Sequence, residues 1–171
     1  MKKQLNIRLL TENDPEIISS AFQDIGWNKP LVQYENYLHE QREGAREVLV
    51  ATVYGEFAGY LTILWKPSYS PFRKARIPEI QDLNVLPCFR KRGIGISLLT
   101  CAEWRVAEHS KTVGIGVGMY SDYGNAQRLY VKMGYVPDGK GLTYRGRVLE
   151  PDEKTINDDD LVLYFTKNVK P

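Results

Sequence analysis

The sequence predicts a mixed α/β fold, on three observations. Strict alternation, as in Leu5, Ile7 and Leu9 against Asn6 and Arg8, reads as a half-buried strand. Other stretches space their apolar residues at the helical period, the longest running from Gly93 to about Ser110. The two kinds of segment follow one another as β-α-α-β-β-β-α-β-α-β, a pattern that layers helices on a sheet.

Taken in order, the first strand is Gln4–Leu10. Asn13-Asp14-Pro15-Glu16 then starts a helix that runs to about Gln23, with Asp14 expected at the N-cap and Pro15 at the first helical position. A second helix over Leu31–Gln41 sets Leu31, Tyr34 and Leu38 on one face. Val48–Tyr54 and Glu56–Trp65 are two strands joined at Gly55, a hairpin. Pro67, Ser68, Ser70 and Pro71 mark a loop that carries Arg73, Lys74 and Arg76. Glu79–Val85 is the next strand, and Pro87 ends it. The long helix follows, with Ile94, Leu98, Leu99, Cys101, Ala102 and Val106 as its apolar stripe. Val113–Tyr120 is a strand, Asn125–Met133 a helix closed by Gly134, and Leu161–Phe165 the last strand, with a further strand expected near Tyr135 or Tyr144.

At 171 residues, 43% hydrophobic and 26% charged, the chain has the size and make-up of one globular domain, taken here as residues 1–171. A net charge of +2 argues against nucleic acid or a membrane surface as its main partner. Cys88 and Cys101 lack metal or redox spacing, and His39 and His109 lack a zinc pattern, so no metal is expected. Met1-Lys2-Lys3 leads into no apolar run, which sets a cytoplasmic protein as the default.

The chemistry concentrates in Arg90-Lys91-Arg92-Gly93-Ile94-Gly95, which joins a strand to a helix. The first turn of a helix leaves N–H groups unpaired and carries about half a positive charge. Glycine lets that backbone come close to a ligand, so the turn suits a phosphate or pyrophosphate. Gly114-Ile115-Gly116-Val117-Gly118 is a different case. It lies inside a strand and does not complete G-x-G-x-x-G, so its glycines are expected to admit another backbone or a ligand rather than to form a dinucleotide turn. The acidic run Asn157-Asp158-Asp159-Asp160 reads as a solvated turn.

With these residues in place, the region Glu79–Tyr135 resembles the GNAT acetyltransferase superfamily. Arg90-Lys91-Arg92-Gly93-Ile94-Gly95 matches its [Q/R]-x-x-G-x-[G/A] loop, Leu83-Asn84-Val85-Leu86-Pro87 its preceding strand, and Ala126-x-x-Leu129-Tyr130-x-Lys132-x-Gly134-Tyr135 its second block. The resemblance implies a mixed, mostly antiparallel central sheet of about six to seven strands flanked by about four helices. It also implies an N-acetyltransferase that moves the acetyl group of acetyl-CoA to an amine of a small molecule, peptide or protein through a tetrahedral intermediate. A non-catalytic acyl-CoA-binding sensor on the same fold is the alternative, and homodimers are common among such proteins.

For the cofactor, the resemblance points to the backbone and side chains of Arg90, Lys91, Arg92, Gly93, Ile94, Gly95, Ile96 and Ser97. The pantetheine arm would pair along Leu83, Asn84 and Val85 as an added strand, an N–H near Val85 facing the thioester oxygen. Tyr130 falls at the family's general-acid position. Glu79, eleven residues before Arg90, is the first candidate base and Asp82 the second, with a water chain as a third route. The family often has Asn where Tyr123 stands; Asn125, two residues on, is either a helix N-cap or a cofactor contact. Trp27, Tyr34, Tyr37, Trp65, Tyr69, Phe72 and Tyr144 are read as core or rim, none of them assigned to the acceptor.

Overall fold

The computed structural model describes residues 5–170; Met1, Lys2, Lys3 and Gln4, and with them the leader reading and the first residue of the first expected strand, lie outside the described residues. Within that span the chain forms β1 (Leu5–Leu9), α1 (Asp14–Asp24), α2 (Leu31–Arg42), β2 (Arg46–Val53), β3 (Glu56–Leu64), α3 (Ser70–Ala75) and β4 (Glu79–Val85). These are followed by α4 (Ile94–Ala107), β5 (Thr112–Gly118), α5 (Gly124–Lys132), β6 (Val136–Tyr144), β7 (Arg147–Val148) and β8 (Leu161–Asn168). The eight strands run in the order β1-β2-β3-β4-β5-β8-β6-β7. This is the mixed, mostly antiparallel sheet expected, with one strand more and one helix more than the upper expectation.

β4 pairs in parallel with β5, at Glu79↔Gly114 and Ile80↔Ile115. Parallel neighbours need a crossover of about a dozen residues or more, and the α4 helix supplies it. The antiparallel pairs arise from the short connection at Gly55 for β2 and β3, and from longer returns for β5–β8 and β6–β8.

The chain divides into two compact units: the first takes the chain up to Leu64 together with Gln81–Ala102, the second Trp65–Ile80 together with the chain from Glu103 onward. In the first, α1 and α2 pack on the hairpin around Ile18, Phe22, Tyr34, Val48, Val50, Phe57 and Tyr60. Phe22 makes edge contacts with Phe57 and Tyr60 and stacks on Trp27. In the second, Tyr69 stacks on Tyr164 with ring centroids 3.7 Å apart, and Phe72 meets both rings edge-on. Burying rings of this size supplies most of the driving force at each centre.

Three local expectations are corrected. Asp14 is the first residue of α1 and not its cap, because its carboxylate is taken by Arg8 and by the N–H and hydroxyl of Thr11. The stretch read as loop holds the short helix α3; Pro71 is its second residue, as Pro15 is the second and not the expected first of α1, and six residues are too few to display a helical period. The glycines of β5 admit side chains and not backbone: a Cβ on Gly114 would lie 2.2 Å from the Phe72 ring, and one on Gly118 2.3 Å from the Tyr123 ring. The run Asn157-Asp158-Asp159-Asp160 is the solvent-exposed turn expected, and Tyr120 and Tyr123 donate to Asp159, Tyr144 to Asp158 and Arg145 to Asp160.

The Asp14 pair carries a stability prediction. Burial pushes the Asp14 carboxyl up, yet the bonds from Arg8 and Thr11 outweigh it and hold the group below the ordinary carboxylate range. A folded-state value below the unfolded one stabilises the protein above the unfolded value, ~3.9, and that gain is lost as pH falls through the folded one. Asp14→Asn is expected to lower stability by about 2 kcal/mol at pH 7, a figure held down by solvent screening because the Arg8 side chain is 37% exposed. Denaturant melts from pH 7 to pH 3 check it: the gap between wild type and variant closes below about pH 4.

Candidate active site

In the first unit the site is built on β4 and the turn that follows. Asp82 interrupts the strand with φ +54°, in the left-handed region that aspartate tolerates better than most residues. The assumption of a regular strand, with Glu79 and Asp82 simply alternating, therefore fails at Asp82. Beyond it, Leu83, Asn84 and Val85 lie against β3 so closely that a Cβ on Gly59 would be 2.5 Å from the Asn84 carbonyl oxygen and 3.0 Å from Val85 Cα. Leu86 N–H reaches the Ala58 carbonyl at 2.9 Å and anchors the end of β4.

The turn at residues 90–93 enters α4 through two left-handed residues, Lys91 at φ +58° and Gly93 at φ +80°. Ser97 N–H is bonded to the Gly93 carbonyl, as the first intrahelical bond of α4 requires. The amides of Ile94, Gly95 and Ile96 precede that bond, so helix geometry leaves them without an intrahelical acceptor. A Cβ on Gly93 would meet nothing within 4 Å, so the backbone there borders open space. A helix start with such amides and with Lys91 and Arg92 exposed beside it has the chemistry to receive an anion.

The structure sorts the expected cofactor residues by what their side chains already do. Arg90 donates from Nε to the Val85 carbonyl at 3.1 Å and lies over the Trp27 ring, so it braces the turn against β4. Arg92 lies over Phe89. Ser97 Oγ donates to the Gly93 carbonyl at 3.1 Å. Ile94 is buried, whereas Ile96 is exposed.

Asp82 is a heavily bonded carboxylate. It accepts from five side chains: Lys29 Nζ, Gln33 Nε2, Tyr37 Oη, Tyr60 Oη and Asn84 Nδ2. Tyr60, whose one proton goes to Asp82, accepts in turn from Tyr34. Burial first, and the Asp82 charge second, push the Tyr37 phenol up to about 12 and the Tyr60 phenol higher still. All of these tyrosines remain donors through the physiological range. The cluster was not foreseen as a unit; its one sequence signal is the i, i+4 spacing of Gln33 and Tyr37, which puts them on one face of α2.

In the second unit, Glu79 is 4% exposed at the start of β4. Its charge adds to burial in raising the Tyr164 phenol, and it contributes to the rise at Tyr69 after burial and Asp138. Tyr130 is 5% exposed on α5, its ring 6.0 Å from that of Tyr135. Asn125 is exposed in the first turn of α5, behind the N-cap Tyr123, so the N-cap role is corrected: a 3-10 turn at Ser121–Tyr123 runs into the helix and starts it earlier. Gly134 takes φ +89° after α5, as a helix-ending glycine does.

Residues 44–137, more than half of the chain, match the family model described as an acetyltransferase (GNAT) domain. Solved structures agree on the fold. The spermidine/spermine N-acetyltransferase SpeG from Vibrio cholerae, solved with manganese ions, superposes with a TM-score of 0.67 at 17% identity, covering 96% of this chain and 92% of that one. A ribosomal-protein-alanine N-acetyltransferase from Brucella melitensis gives 0.69 at 18% identity, over 96% and 99%. The Salmonella typhimurium protein yncA, solved with its cofactor acetyl-CoA, gives 0.70 at 14% identity, over 98% and 95%. No curated protein sequence matches the chain. The fold and the matched domain define an acyltransferase of the N-acetyltransferase kind. The chain belongs to the GNAT acetyltransferase family.

Among the described residues no group of three or more His, Cys, Asp or Glu is arranged to hold a metal ion. Among the same residues no helix is long and apolar enough to cross a membrane.

Proposed function

We propose that this chain, read as one N-acetyltransferase domain of the cytoplasm, transfers the acetyl group of acetyl-CoA to an amine of a small molecule, peptide or protein, by direct attack through a tetrahedral intermediate. The observation that carries the reading is the turn at Lys91 and Gly93, whose left-handed residues lead into the open amides of Ile94, Gly95 and Ile96. These amides receive the pyrophosphate, with charge from Lys91 and Arg92. Backbone donors carry most of this binding because they are already ordered. The pantetheine arm runs along Leu83, Asn84 and Val85, and an N–H near Val85 donates to the thioester oxygen as it becomes an oxyanion, a contact typically worth ~3–4 kcal/mol of barrier.

An ammonium ion has no lone pair to attack with, so a proton leaves it first. Glu79, buried at the start of β4, takes that proton. The amine then bonds to the thioester carbon and the C–S bond breaks; Tyr130 gives its proton to the departing thiolate, and the second proton shed by the amide nitrogen passes to solvent, from which the phenol is restored.

An amine library incubated with acetyl-CoA tests the whole reading, with free thiol detected and products weighed. Release of coenzyme A together with an acetylated amine is the expected result. Binding of acetyl-CoA with no thiol released by any amine would instead identify an acyl-CoA sensor.

A further inference from the structure

We propose that Asp82 is a positioning residue: its carboxylate, clamped by Lys29, Gln33, Tyr37, Tyr60 and Asn84, holds the left-handed kink of β4 and thereby aims the following amides at the thioester oxygen. The inference rests on the proposed use of those amides and assigns what sets their direction.

A non-glycine residue at φ +54° in mid-strand is strained, and such a conformation persists only where its surroundings over-determine it. Here they do. Lys29 reaches Asp82 Oδ1 at 3.1 Å from the segment between α1 and α2, while Gln33 and Tyr37 reach Oδ2 at 2.9 and 3.0 Å from α2. Tyr60 donates to the same oxygen from β3. Asn84 closes the kink from within, its Nδ2 donating to Asp82 Oδ1 at 2.8 Å and to the Asp82 carbonyl at 3.2 Å. Three separate parts of the unit thus converge on one side chain. On the far side of the kink, Gly59 lets β3 press against Asn84 and Val85, so the segment cannot relax in that direction either.

The kink turns the peptide planes of residues 82–85 away from the direction a regular strand would give them. An oxyanion donor acts only if it is fixed before the charge develops. A carboxylate that accepts from five side chains on separate elements is well suited to hold a backbone. Arg46 extends the same framework: it lies over the Tyr37 ring and donates to Thr62 and Gln81, the residue before the kink.

Isotope-edited infrared spectroscopy of acetyl-CoA labelled with 13C at the thioester carbonyl, bound to the full chain, tests this without knowledge of the acceptor. In the wild type the bound carbonyl band is expected below that of free acetyl-CoA. Asp82→Gly keeps the backbone free to take a positive φ but removes the clamp; it is expected to lose at least half of that shift while Kd for acetyl-CoA changes less than about threefold. Tyr37→Phe, which removes one of the five donors, is expected to give an intermediate band. A band in Asp82→Gly equal to the wild type's overturns the proposal, as does a loss of shift that comes with a tenfold or greater loss of affinity. Should Asp82→Gly not fold, Tyr37→Phe decides alone, and an unmoved band there overturns it. A wild type that binds acetyl-CoA with no shift refutes the amide contact itself, and the positioning role falls with it.

Discussion

Tyr130→Phe is expected to lower kcat by about 10- to 10³-fold while KM for acetyl-CoA moves less than about twofold. The variant keeps the ring that packs near Tyr135 and deletes only the hydroxyl, so the change falls on chemistry and not on packing. A phenol that protonates the departing thiolate acts in the transition state and contributes little to ground-state binding, which is why kcat and KM separate. The measurement is steady-state kinetics with the best amine from the library, with a thermal melt beside it. An unchanged kcat would remove Tyr130 from the reaction; a tenfold rise in KM at constant kcat would make it a binding residue instead.

Gly93→Val is expected to raise KM for acetyl-CoA by about tenfold or more, with kcat at saturation nearly kept. Gly93 sits at φ +80°, where a β-branched side chain is strongly disfavoured, although a Cβ there would touch nothing. The cost therefore lies in the backbone, and the backbone relieves it by turning the amides of Ile94 and Gly95 away from a common point. A tenfold change corresponds to ~1.4 kcal/mol, within the usual range for one non-glycine residue forced into this region. Gly93→Asn is the control, since Asn enters the left-handed region more readily; its KM should stay within about threefold of the wild type. Equal KM values for wild type and Gly93→Val would detach the turn from cofactor binding.

Much of the architecture was legible because it depends on short-range pattern. Alternation located β1 and the β2–β3 hairpin, and the stripe from Ile94 to Val106 located α4 with its inward face. Pro15 marked the start of α1 by restricting φ, as Pro71 does for α3, but α3 is under two turns long and shows no period of its own. β6 was placed only as a strand near Tyr135 or Tyr144, because Gly139 and Gly141, at positive φ, interrupt its alternation. The glycines of β5 were recognised as places of close approach, yet the visitors are the rings of Phe72, Tyr164 and Tyr123, which come from distant stretches of chain.

The candidate site divides in the same way. The turn at residues 90–97 is continuous in sequence, so its glycines, its charges and its helix start could be read together. Asp82 belongs to the other class. Its spacing from Glu79 made it a second candidate base, because a strand was assumed to alternate; the left-handed kink and the five donors appear only once α2, β3 and β4 meet.

The amino-acid order by itself determined the family and the strand-to-helix turn, since each is written in neighbouring residues whose conformational preferences act locally, and it singled out Tyr130 as the candidate acid. Tertiary structure alone decided which charged groups have protons and lone pairs to spare. Arg90 is committed to the Val85 carbonyl and Asp82 to its ring of donors, and such commitments depend on distances between residues as far apart as Lys29 and Asp82, which no local preference encodes.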